Sequence, residues 1–166
     1  MTEKSIAKQI GKPEKIDFRK PKVIGSTGFY LKSFHAKHPD AEHLKLNSRC
    51  NFEKRPDGIL LRANYSNALT AIPIPKETII EITLKRGEET IDPMFPSPMW
   101  ILLKLGVSVV YARYLRLWLA EYSIDQMEVH LKTTAYDMHF IANGYLFERQ
   151  LKFFEGLNYG RKLKSI

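Results

Sequence analysis

Only one cysteine, Cys50, occurs in the 166 residues. An intramolecular disulfide is therefore excluded, and a site built on several thiolates cannot form. Cys50 has no base beside it in the sequence, so it reads as a small buried apolar residue and not as a nucleophile. The N-terminal Met-Thr-Glu-Lys-Ser-Ile lacks the apolar stretch of a signal peptide. Both features favour the reducing cytoplasm. Long uncharged apolar runs are missing as well. The richest one, Met99 to Ala120, is broken by Lys104, Arg113 and Arg116, whereas a membrane span needs about 20 apolar residues with few or no charges. No transmembrane segment is expected.

Catalytic signatures are equally scarce. Gly25-Ser26-Thr27-Gly28 lacks the Walker lysine and the dinucleotide spacing, and no Gly-x-Ser-x-Gly elbow occurs. Glu81, Glu128 and Asp137 fall at alternating outward positions and read as solvated groups, without the opposed environments that acid–base work needs. No catalytic residue and no cofactor is expected. His35, His38 and His43 cluster near Asp40 and Glu42, but Pro39 and the loop composition deny them a rigid frame. His130 and His139 fall on outward faces of neighbouring strands, where a site with Asp137 or Glu128 can be imagined. With no evident third ligand they read as cross-strand polar pairing, and no metal is expected.

What the chain does have is a core and a positive charge. Hydrophobic residues make up 44% and charged ones 27%, enough apolar surface to offset the ordering entropy of a globular domain. The formal net charge of +8 favours anionic partners such as acidic lipid, nucleic acid or an acidic protein face.

Residues 1–43 hold nine Lys or Arg and few large aliphatics. With the breaks at Gly11-Lys12-Pro13 and Lys20-Pro21 they read as a basic arm, partly docked or mobile. Residues 44–160 read as the globular domain and 161–166 as a basic tail. Arg55-Pro56-Asp57-Gly58 is a turn between Leu46–Lys54 and Gly58–Tyr65, and Ser66-Asn67 is a second. Pro73 and Pro75 place the next strand at an edge. Thr78–Arg86 alternates, with Ile80, Ile82 and Leu84 on one face. Trp100–Val110 starts as a short helix or ends as a strand, and Tyr114–Tyr122 alternates as a strand. Met127–Thr133 and Asp137–Ala142 form a hairpin. Leu146, Phe147, Gln150, Leu151, Phe153, Phe154 and Leu157 make a wide helical stripe after an Asn143 cap. The sum is an α+β domain of about seven strands with one terminal amphipathic helix.

Ile72-Pro73-Ile74-Pro75 followed by Ile79-Ile80-Glu81-Ile82 resembles the middle of pleckstrin-homology and GRAM-type domains. There a strand ending in Ile-Pro leads to one patterned Ile-x-x-Ile. The Phe140–Leu157 segment is similar to their closing helix. The resemblance, over residues 46–157, implies a two-sheet antiparallel β-sandwich or partly open barrel capped by the helix, and a binding role in place of catalysis. It departs from lipid-phosphate-binding members at the first hairpin. Their long basic loop is replaced here by the tight Arg55–Gly58 turn, flanked by Lys54 and Arg62. The segment Glu88–Val110 is also longer than the pattern.

The candidate partner-binding residues are Trp100, Lys104, Arg113, Arg116 and Trp118. They mix with Met99, Tyr111, Tyr114 and Tyr122 in the combination of aromatic and cation that dominates interface hot spots and membrane-interface contacts. The competing reading makes the aromatics core, with cations snorkelling at its edge. The expectation is a non-catalytic binding module for a protein or anionic lipid surface. A nucleic-acid binder using the basic arm ranks behind it, and an enzyme without a recognisable site behind that.

Overall fold

A computed structural model describes residues 2–13, 24–37 and 44–166. In chain order they form α1 (Glu3–Ile10), β1 (Phe29–Ala36), β2 (Arg49–Arg55), β3 (Gly58–Tyr65), β4 (Ala68–Pro75) and β5 (Ile79–Lys85). Then come β6 (Glu89–Ile91), α2 (Pro98–Lys104), α3 (Val109–Ala112) and β7 (Tyr122–Ile124). β8 (Met127–Thr133), β9 (Tyr136–Ala142), α4 (Phe147–Glu155) and β10 (Leu163–Ser165) complete the chain. The class is α+β. Eight strands form one sheet in the order β10-β5-β8-β9-β1-β2-β3-β4, and β6 and β7 form a separate ribbon. Only the β10–β5 pair is parallel in the large sheet. The chain divides into two compact units, Gly87–Gln126 and the remainder.

Local chemistry sets the turns of the larger unit. Arg55 pairs with Gly58 across a two-residue connection. A Cβ on Gly58 would lie 2.3 Å from the Ile74 carbonyl oxygen, so only glycine lets β4 pass this close. Ser66 and Asn67 both have positive φ, 49° and 67°, the dihedral signs of the type I′ turns that match strand twist. β4 lies at the sheet edge, where Pro73 and Pro75 need not donate to a neighbour.

β4 and β5 stand six places apart in the sheet yet are joined by the three residues Lys76–Thr78. Laid flat, six strand spacings amount to roughly 29 Å, while the link reaches at most about 15 Å. The sheet must therefore curl back, and its concave face closes over one core. Phe29, Phe52, Phe140 and Phe154, from β1, β2, β9 and α4, meet there. The Phe52 ring lies 5.1 Å from Phe140, 5.5 Å from Phe29 and 5.6 Å from Phe154. α4 contributes Phe147, Phe153 and Phe154, the apolar spacing of its sequence.

β3 is buried on both faces. Ile59 and Leu61 enter the main core, while Leu60 packs against Ile6 and Ile10 of α1. Arg55, almost fully buried, ties this layer together through Glu3 Oε1 at 2.9 Å and Glu53 Oε1 at 2.8 Å.

Several expectations change. Phe29–Ala36, read as part of an arm, is β1, paired to β9 and β2 in mid-sheet; its alternation Phe29-x-Leu31 buries both. The cationic positions Lys15, Arg19, Lys20 and Lys22 lie outside the described residues. Ile80 is exposed and Ile79 takes the core position, because the register shifts between Ile79 and Glu81. Tyr114–Tyr122 is not a strand: residues 113–115 and 119–121 are 3-10 turns, and only Tyr122 begins a ladder. Val107–Val110 likewise leads into α3. Among the described residues ten strands form where about seven were expected, the additions including the three-residue β6, β7 and β10.

Phe52→Ala removes the ring that touches three others and is expected to cost about 3–5 kcal/mol in urea unfolding. Leu69→Ala, on the exposed side of the edge strand, should change stability by under about 0.5 kcal/mol.

Candidate interaction face

The unit 87–126 leaves and re-enters the larger unit's sheet at paired positions, Lys85 opposite Glu128. Its own ends meet: Asp125 N donates to Glu88 O at 2.9 Å. Gly87 is required there, since a Cβ would lie 2.1 Å from the Asp125 carbonyl oxygen. Ser97 caps α2 by accepting from Trp100 N at 3.0 Å, with Pro98 at the first helical position. The core of the unit is small: Met99, Ala112 and Tyr122, with Leu102, Leu103, Val109 and Ile124 partly buried around them.

One charge organises these loops. The Glu121 side chain is buried and accepts from Leu117 N at 2.7 Å, Trp118 N at 3.1 Å and Met94 N at 3.1 Å. Burial works to raise its pKa, but hydrogen bonds from Ser97 and these three amides outweigh it and hold the carboxyl below its usual range. It therefore stays ionised near neutrality and pins residues 94, 117 and 118 to one point.

All five candidate partner residues fall in this unit, in different roles. Arg113 donates to the Tyr122 hydroxyl at 2.8 Å and stacks over the Tyr114 and Tyr122 rings. Arg116 donates to the Tyr122 carbonyl at 2.5 Å. Both cations thus brace the local core as well as edging the surface. Trp100 is partly buried, edge-on to Phe95 at 5.0 Å, with Lys104 Nζ 5.7 Å from its ring centre. Trp118 and Lys104 are exposed. The choice between core and surface is split: Met99 and Tyr122 are core, whereas Tyr111, Tyr114 and Trp118 are surface.

Sequence reasoning overlooked the aliphatic part of this surface. Leu119 is 78% exposed, Phe95 and Leu105 74% each, and Leu117 61%. A strand would have turned Leu115, Leu117 and Leu119 to one inner face, and no strand forms. The only available signal was charge. Between Pro93 and Ala120 every charged side chain is a cation, Lys104, Arg113 or Arg116.

Elsewhere the candidates are engaged internally or lie outside the described residues. Lys54 Nζ donates to Gly156 O at 2.8 Å and Arg62 binds Glu53 at 3.0 Å, so the cations beside the first hairpin turn are held within the fold. Burial pushes the Cys50 thiol up to about 12, which leaves it protonated and unreactive. His38, Asp40, Glu42 and His43 lie outside the described residues, and His35 pairs in register with Asp137. His130 and His139 face each other across β8 and β9. Among the described residues no helix is long and apolar enough to cross a membrane. No family model, curated protein or solved structure matches the chain.

Both tryptophans, Trp100 and Trp118, lie in the 87–126 unit, so their emission reports it alone. A carboxyl whose folded pKa is depressed stabilises fully above the unfolded value of about 4.3 and loses that contribution as pH falls through the folded value. The tryptophan-detected stability of the unit is expected to drop on acidification through that window. Glu121→Gln should be less stable at neutral pH and show a shallower acid dependence.

Proposed function

We propose that the chain is a non-catalytic binding module of pleckstrin-homology-like architecture that docks on an anionic lipid surface through its segment 93–120. The observation that carries this reading is the set of exposed large aliphatic and aromatic side chains between residues 93 and 120, interspersed with Lys104, Arg113 and Arg116, while the unit's exposed acids Glu88, Glu89, Asp92 and Asp125 fall outside that segment. So many large apolar side chains exposed within one small unit point to an interaction site. Trp and Tyr suit the headgroup level, Leu and Phe suit the acyl boundary, and each Lys or Arg near an anionic surface adds about 1 kcal/mol. A globular protein partner would use the same aromatics, but it has less use for four protruding Leu and Phe tips. The curled antiparallel sheet with its C-terminal helix supports the architectural half of the proposal.

The test is flotation with vesicles of neutral phosphatidylcholine, with and without phosphatidylserine, read together with tryptophan emission. Binding and a blue shift that grow with the acidic fraction are expected. Leu105→Asp combined with Leu119→Asp should weaken partitioning by more than tenfold, since each Leu contributes about 1.5 kcal/mol or more when buried. Equal partitioning into both vesicle types, or an emission spectrum indifferent to either, overturns the proposal.

A further inference from the structure

The convex, polar face of the larger unit holds a second arrangement, independent of the docking surface. β8 and β9 pair so that His130 stands directly opposite His139, and Glu128 lies two residues before His130 on the same face of β8. Glu128 Oε2 approaches His139 Nε2 to 3.4 Å and His130 Nε2 to 3.7 Å. The three ligand atoms all lie within 4.8 Å of one another. Around a tetrahedral zinc-class ion with bonds of about 2.1 Å, donor atoms stand about 3.4 Å apart. The two measured separations are close to that value.

Burial lowers the His139 pKa, and the neighbouring His130 lowers it further, against an opposing pull from Glu128. His139 Nε2 is buried and makes no hydrogen bond of good geometry among the described residues, its polar contact being the 3.4 Å approach of Glu128 Oε2. Lys32 Nζ, 4.0 Å from Glu128 Oε1, stands at the other carboxylate oxygen and leaves Oε2 to the histidines.

We propose that Glu128, His130 and His139 bind one divalent transition-metal ion through Oε2 and the two Nε2 atoms. Two imidazoles and one carboxylate suit the zinc–cobalt–nickel class and disfavour calcium and magnesium, which take all-oxygen sets. Three protein ligands leave coordination positions for water. The imidazoles now stack, with ring centres 3.9 Å apart and planes 16° from parallel. Sharing an ion requires them to tip together. His130, about half exposed, has room to do so by side-chain rotation, while the β8–β9 ladder fixes both backbones.

Cobalt(II) titration of the full chain followed by visible absorption, with zinc competition and zinc-dependent thermal melting, tests this. One equivalent with a nitrogen-ligated absorption band and a zinc-raised Tm are expected. His130→Ala and His139→Gln should each weaken binding at least tenfold, Glu128→Gln should do the same, and the double histidine variant should abolish the band. Thermal melts without metal establish that each variant is folded; should His139→Gln unfold, His130→Ala with Glu128→Gln provides the same test away from the buried ring. Unchanged stoichiometry and affinity in the folded double variant, or binding lost only on His35→Ala, overturns the proposal.

Discussion

Three residues between β4 and β5 constrain everything else in the larger unit. Because Lys76–Thr78 must connect strands at opposite parts of one sheet, the sheet cannot be flat, and its inner face has to be filled from all sides. That geometry explains why aromatics from β1, β2, β9 and α4 converge on one another. It also explains why α4 needs two adjacent phenylalanines, Phe153 and Phe154, which lie edge to face at 5.2 Å. Edge-to-face contacts suit such a centre, since they let large rings interdigitate without stacking strain. The curl simultaneously exposes a convex face. α1 covers it over β3 and β4, while side chains of β8 and β9 line it elsewhere.

The 87–126 unit lives under a different constraint. Its three fully buried core residues cannot supply the apolar burial that a larger domain relies on. A buried carboxylate with several backbone donors substitutes for part of that core. Glu121 fixes three loop amides at once, and Arg113 and Arg116 fix Tyr122 from the hydroxyl and the carbonyl ends. Polar bracing frees the unit's leucines from packing duty. Their exposure follows from how this unit is held together, and it is the feature on which the proposed docking rests. In a folded protein it is an aggregation liability unless something covers it.

How much of this the sequence disclosed depends on the range of the interactions. The hairpins at Arg55–Gly58 and Ser66-Asn67, the edge prolines and the C-terminal helix were legible, because each is set by neighbours a few residues away. β1 was not. Phe29-x-Leu31 is too short a signal to stand against a basic, proline-broken neighbourhood, and its place depends on partners at 49–50 and 136–141. The register shift that swaps Ile79 for Ile80 is likewise invisible to a period-two reading. Tyr114–Tyr122 misled for the opposite reason. Its alternation is real, but alternation makes a strand only where a partner strand is available, and here the backbone amides went to Glu121. Of the candidate surface, Trp118 and Lys104 were legible as exposed groups, while the roles of Arg113 and Arg116 were set by Tyr122, several residues away.

The pair of histidines shows the same limit from the other side. From the sequence, His130 and His139 are two imidazoles on adjacent strands, with Asp137 and Glu128 equally conceivable as a companion and nothing to choose between them. The structure selects Glu128 because a strand returns every second side chain to the same face, so residues 128 and 130 flank the cross-strand position of 139. Without register, no reading can distinguish that triangle from three unrelated surface groups. Once register is fixed, the distinguishing feature is the triangle itself, in which the buried Nε2 of His139 and the Nε2 of His130 both face one carboxylate oxygen, at 3.4 and 3.7 Å.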